Sequence, residues 1–236
     1  MKYKFLYITL SFLLKLRYSV RLHGVSEILT KKKENPEGIL FFANHVSLLD
    51  PMLFEIALWP ICEPRPAASD YLFRIKYINF FLKKVRAISV PQYSSNPSLN
   101  KSLNINATFD EIHQGLQQGD NIIFWPAGRL TSTGIEKLGT ASGASILLKK
   151  NPNNPILILC VVGLWGSSFS KYQTGKTPSL GKQLMNNFLK MLKRGIFFMP
   201  RRKIEIFCKD ITKEIREKKD KKEINTFLEE TYNEFF

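Results

Sequence analysis

The chain has 236 residues, 44% of them hydrophobic: enough for one sizeable domain with its own core, and too apolar for a disordered chain. Lys and Arg number 35 against 20 Asp and Glu, a formal charge of +15 that calls for an anionic counterpart: a lipid surface, nucleic acid, or an acidic protein or ligand. A mean hydropathy of −0.14 excludes a polytopic membrane protein. Three distant cysteines (Cys62, Cys160, Cys208) with no C-x-x-C argue against a disulfide framework or a thiolate zinc site, and for a reducing, cytosolic setting.

Residues 1–23 carry Lys2, Lys4, Lys15, Arg17 and Arg21 and no acid, around the uncharged apolar run Phe5–Leu14. Ten residues are too few to cross a bilayer, which needs about 20, and no small-residue cleavage site follows. The segment reads as a helix lying in a membrane interface, or else as an N-terminal core helix. This sets residues 1–17 apart as an interface helix and leaves 18–236 as the folded domain.

Beyond it, short apolar runs alternate with helical patterns. Strands are predicted at Ser19–His23, Ile39–Ala43, Ala87–Val90, Ile122–Trp125, Pro155–Val162 and Ile204–Cys208. Helices are predicted at Ser47–Trp59, Ile75–Lys84, Ala107–Gln118, Gly139–Lys150, Lys182–Arg194 and Lys221–Phe235. Gln92–Asn106 and Asn151–Pro155 read as loops. Such alternation predicts an α/β fold: a mostly parallel mixed sheet flanked by helices, with ligands bound beyond the carboxyl ends of the strands.

Two polar constellations stand at such ends. The first, Asn44-His45-Val-Ser47-Leu-Leu-Asp50, follows the strand ending at Ala43. On a continuous helix, side chains five apart do not share a face. His45 and Asp50 can meet if His45 precedes the helix and Asp50 sits in its first turn, a placement that Pro51 favours. A structural alternative is a capping box, with Ser47 as N-cap and Asp50 reaching back. In the functional reading a neutral imidazole takes a proton from an attacking alcohol, and a carboxylate on the other ring nitrogen fixes the tautomer. No Ser or Cys stands in a nucleophile elbow, which favours direct attack by a bound acceptor.

The second constellation is Phe124-Trp-Pro-Ala-Gly128-Arg129-Leu-Thr-Ser-Thr-Gly134. Gly128 permits close backbone approach to a ligand, and Arg129 offers a fork of donors suited to phosphate. Thr131, Ser132 and Thr133 add hydroxyls. The alternative is a strand-end turn with a surface arginine.

Residues 171–203 hold nine basic residues and no acid, with Leu184, Phe188 and Leu192 on one helical face. Such a segment can bury an apolar face among acyl chains and offer its bases to lipid phosphates, each worth roughly 1 kcal/mol near an anionic surface. The alternative is a core helix with a basic outside. A nucleic-acid partner is not expected, since no recognition motif accompanies the charge. The tail, Lys209–Phe236, mixes seven basic and eight acidic residues around an apolar stripe and reads as a packing helix without chemistry.

In order and spacing across about residues 18–210, the two constellations resemble the glycerophospholipid acyltransferase family, whose best-known members acylate lysophosphatidic acid. Its N-H-x-S-x-x-D block is matched by Asn44, His45, Ser47 and Asp50. The second block looks most like that of 2-acylglycerophosphoethanolamine acyltransferases. The resemblance implies that His45 is the general base and Asp50 its partner. It places Asn44, Ser47, Gly128 and Arg129 around the substrate. It implies a membrane-associated O-acyltransferase acting on a lysophospholipid at the cytoplasmic face. The co-substrate would be acyl-CoA or acyl carrier protein, the latter an acidic partner suited to a basic chain, with no metal or resident cofactor. Two departures stand out. The family's second-block glutamate is Ala127 here, and the place of a phosphate-binding arginine appears as Gln92. The departures motivate a competing expectation: a catalytically weakened or non-catalytic membrane-surface lipid-binding protein on the same fold.

Overall fold

The computed structural model describes residues 4–91, 99–194 and 201–236. In chain order the elements are α1 (Lys4–Lys15), β1 (Tyr18–His23), α2 (Val25–Glu34), β2 (Leu40–Ala43), α3 (Asp50–Cys62) and β3 (Arg65–Ser69). After a 3-10 turn come α4 (Lys76–Lys84), β4 (Ile88–Val90), α5 (Leu99–Gln117), β5 (Ile122–Phe124), α6 (Gly143–Lys150) and β6 (Ile156–Val162). The chain ends with α7 (Leu180–Arg194), β7 (Arg202–Asp210), α8 (Thr212–Arg216) and α9 (Lys221–Asn233).

Seven strands form one sheet in the order β1-β7-β6-β2-β5-β3-β4. Only β7 against β6 is antiparallel; the other neighbours run parallel. The central strands are apolar throughout because both faces are covered, as parallel sheets require. In β2, the 39/41/43 side chains face one core and the 40/42 side chains the other. The first core takes in Ile28 of α2 and Leu53, Phe54 and Leu58 of α3. The second takes in Ile112 and Leu116 of α5, Leu147 of α6, and Leu228 and Tyr232 of α9. Phe41 and Phe42 are fully buried, each contributing about 1.5–3 kcal/mol of transfer free energy.

The α/β expectation holds, and all six predicted strands are present. The sheet has a seventh, β3, whose Arg-Pro-Ala-Ala-Ser sequence lacks β-branched residues. Helix α2 also lay outside the predicted set. Residues 99–106 correct the loop expected at Gln92–Asn106: they are the first turns of α5, while 92–98 lie outside the described residues. The helix predicted from Ser47 begins at Asp50, because residues 47–49 form a turn held by the Asp50 side chain. The helix predicted from Gly139 begins at Gly143, because residues 136–141 are a loop tied to α9.

Helix α1 docks against α3, with the Tyr7 hydroxyl on the Ile56 carbonyl at 3.4 Å, and leaves Ile8, Phe12 and Leu13 exposed. Among the described residues, no helix is long and apolar enough to cross a membrane. In α7, Leu184, Phe188 and Leu192 are each half or more exposed. Among the described residues nothing covers this apolar face, which goes against the core-helix alternative for the segment.

Candidate active site

Strands β2 and β5 are parallel neighbours, so the segments leaving their carboxyl ends emerge side by side. The first constellation follows β2 and the second follows β5. They are joined directly: the Thr131 N–H donates to the His45 carbonyl at 2.8 Å.

The Asp50 carboxylate organises the first turn. Its Oδ2 accepts the Val46 N–H at 2.6 Å and the Ser47 N–H at 2.8 Å, and lies 3.2 Å from His45 Nδ1. A carboxylate oxygen can only accept, so a bond between it and the ring puts the proton on Nδ1 and leaves Nε2 with its lone pair. The Asp50 side chain is wholly buried and that of His45 is 19% exposed. Burial pushes the Asp50 carboxyl up; His45 and the Ser47 and Val46 amides pull it back down. The back-reach of the capping reading and the His–Asp contact of the functional reading are thus one arrangement. The imidazole sits 5.8 Å from the Trp125 ring, tilted 47° to it. A partly exposed imidazole whose Nδ1 faces a buried carboxylate can act as a general base.

Asn44 and Ser47, expected at the substrate, are fully buried. Asn44 Nδ2 donates to the Val161 carbonyl at 3.2 Å, and its Oδ1 accepts the Val161 N–H at 2.9 Å, so it stitches β2 to β6. Ser47 Oγ accepts the Leu49 N–H at 3.2 Å within the turn. Both shape the backbone that carries His45. Gly128 and Arg129 are exposed. Gly128 has φ +61° with open space where a side chain would stand, so the left-handed turn is what calls for glycine. Thr131 is turned inward onto the Ile135 carbonyl. Lys171, in the basic segment, donates to the Leu130 carbonyl at 3.0 Å, which puts a second cation beside the Arg129 loop. Gln92 lies outside the described residues.

One residue close to His45 was missed in the sequence. Glu136 is 2% exposed, and its Oε2 accepts the His45 main-chain N–H at 3.1 Å. Burial pushes its carboxyl up to about 7; the His45 N–H and Arg129 lower it, while Asp50 and Glu229 raise it. The available signal was composition: Glu136 is the only acidic residue between Asp120 and Glu205. Among the described residues, no three His, Cys, Asp or Glu side chains converge as a metal-ligand set.

Comparison with known proteins bears on the fold and the family. No curated protein sequence matches the chain. One similar solved structure is the crystal structure of the 1-acyl-sn-glycerophosphate (LPA) acyltransferase PlsC from Thermotoga maritima. The TM-score is 0.58 at 15% identity, over 98% of this chain and 78% of that one, a likeness of fold. The acyltransferase family model matches residues 20–202, which include both constellations, and with them the protein belongs to the acyltransferase family of enzymes.

Proposed function

We propose that the protein is a membrane-associated O-acyltransferase. It moves a fatty acyl group from a thioester, acyl-CoA or acyl carrier protein, to the free hydroxyl of a lysophospholipid such as 2-acylglycerophosphoethanolamine or 1-acylglycerol-3-phosphate. The observation that carries the reading is the partly open His45 imidazole, held by buried Asp50 where β2 and β5 end, with exposed Arg129 on the adjoining loop.

The chemistry follows from that arrangement. Nε2 takes the proton of the acceptor hydroxyl as its oxygen attacks the thioester carbonyl carbon. Asp50 stabilises the imidazolium that forms. As the tetrahedral intermediate collapses, the new C–O ester bond remains and the C–S bond breaks. The imidazolium returns its proton to the departing thiolate. Arg129, with Lys171 near, is placed to hold an anionic head group.

The membrane supplies the acceptor. Exposed Ile8, Phe12 and Leu13 of α1 and the uncovered apolar face of α7, with Lys182, Lys190 and Lys193 around it, fit an anionic surface. The site would then work at the cytoplasmic face. The test is a panel of lysolipid acceptors, offered with acyl-CoA and with acyl-acyl carrier protein, using anionic vesicles. Ester formation on a lysophospholipid supports the reading. Transfer only to water, or to acceptors without a phosphate, would contradict it.

A further inference from the structure

The His45 main chain is gripped from two sides. Thr131 holds its carbonyl, and Glu136 Oε2 holds its N–H. Glu136 is itself fixed by α9, at both of its main-chain polar groups. The Glu136 N–H donates to Asn233 Oδ1 at 2.9 Å, and Asn233 Nδ2 donates to the Glu136 carbonyl at 3.1 Å. Two more α9 side chains, at helical spacing from Asn233, bind the following loop. Glu229 Oε1 accepts the Leu138 and Gly139 N–H groups, at 2.7 and 3.0 Å, and Asn225 Nδ2 donates to the Gly139 and Ala141 carbonyls. Asn225, Glu229 and Asn233 lie at i, i+4 and i+8, so one face of the helix carries all three. The tail read as a mere packing helix therefore reaches the catalytic turn through a single carboxyl. That carboxyl stands in a chain whose position 127, where the resembled family has glutamate, is alanine.

We infer that Glu136 is a positioning residue for acyl transfer: braced by α9, its side chain fixes the His45 main chain and so sets the imidazole against the acceptor hydroxyl. The inference rests on His45 being the base. Small displacements of such a group are costly, about 10²-fold for roughly 1 Å, whereas Glu136, 2% exposed, is not placed to bind the lysolipid directly.

The experiment compares kcat and KM for Glu136→Ala, Glu136→Gln and Asn233→Ala, each checked for folding by thermal denaturation, with His45→Ala alongside. Glu136→Ala should lower kcat by about 10- to 100-fold with KM for the lysolipid unchanged. Glu136→Gln, whose amide oxygen can accept the same N–H, should recover most of the loss. Asn233→Ala, remote from substrate, should lower kcat in the same sense, and it decides the matter if Glu136→Ala does not fold. A parent-like kcat in Glu136→Ala or Asn233→Ala, a loss confined to KM, or a glutamine variant as damaged as the alanine one would each overturn the inference. If His45→Ala is inactive while the Glu136 and Asn233 variants match the parent, only this inference falls. If His45→Ala is active, the reading beneath it falls instead.

Discussion

Replacing Asp50 by Asn removes a charge and puts an amide NH2 where Oδ1 stands buried without a hydrogen-bond partner. Asp50 Oδ2 accepts the Val46 and Ser47 amides and faces His45 Nδ1 at 3.2 Å. An asparagine can place its carbonyl oxygen in the same spot and keep all three contacts, so the turn should survive. What is lost is the anion opposite the imidazolium formed during proton transfer. At an effective dielectric of about 20, a charge pair at this separation is worth about 5 kcal/mol. The imidazole is partly exposed, so part of that is screened. A fall in kcat of about 10²–10⁴ is expected, with KM little changed and a stability loss of about 1–3 kcal/mol for the buried amide NH2. Asp50→Ala is a different perturbation: it leaves two buried amides without an acceptor, at about 1–3 kcal/mol each, and should destabilise the fold. The assay is transfer of a labelled acyl group from a thioester to lysolipid under saturating acceptor. An Asp50→Asn enzyme that folds and turns over within a factor of about ten of the parent would refute the charge-stabilising role.

Three further outcomes are expected. The Glu136 carboxyl is raised in the fold from 4.5 to about 7, so the folded state favours its protonated form; stability is lost as pH climbs through that window and the deficit is complete above it. Relative to the parent, Glu136→Gln should therefore gain about 2–3 kcal/mol in denaturant unfolding between pH 5 and pH 8, at 1.36 kcal/mol per unit; a constant difference would contradict the burial argument. Exchanging Leu184, Phe188 and Leu192 for serine should weaken binding to anionic vesicles at least tenfold, about 1.4 kcal/mol, while unfolding stays within about 0.5 kcal/mol per site, as for surface positions; losses of about 2–5 kcal/mol per site would instead mark them as core. Arg129→Ala should raise KM for an anionic lysolipid about 10- to 100-fold, the loss of a charge-assisted contact, and leave thioester KM alone; equal effects on both substrates would displace Arg129 from the head-group site.

The central strands were legible because burial on both faces demands unbroken apolar runs such as Leu40-Phe-Phe-Ala43 and Ile156–Val162. Strand β3 was not: its pairing with β4 and β5 is a tertiary choice that Arg-Pro-Ala-Ala-Ser does not announce. Helix α2 buries only Ile28, so it lacks the apolar stripe by which a helix is read. The start of α5 was hidden by a Ser- and Asn-rich composition that resembles a loop. At the site, the His45–Asp50 pair was legible because both members lie within one turn. Glu136 is brought to His45 across 91 positions by α9, and no local pattern encodes that. The resemblance implied that Asn44 faces the substrate; its place at the end of a central strand turned it into the sheet instead.

The most direct measurement is the rate of acyl transfer from thioester to lysolipid by His45→Ala, beside its binding to anionic vesicles. The account predicts a rate lower by about 10²–10⁴ with vesicle binding intact. Turnover equal to the parent's would show that this imidazole does not move the proton.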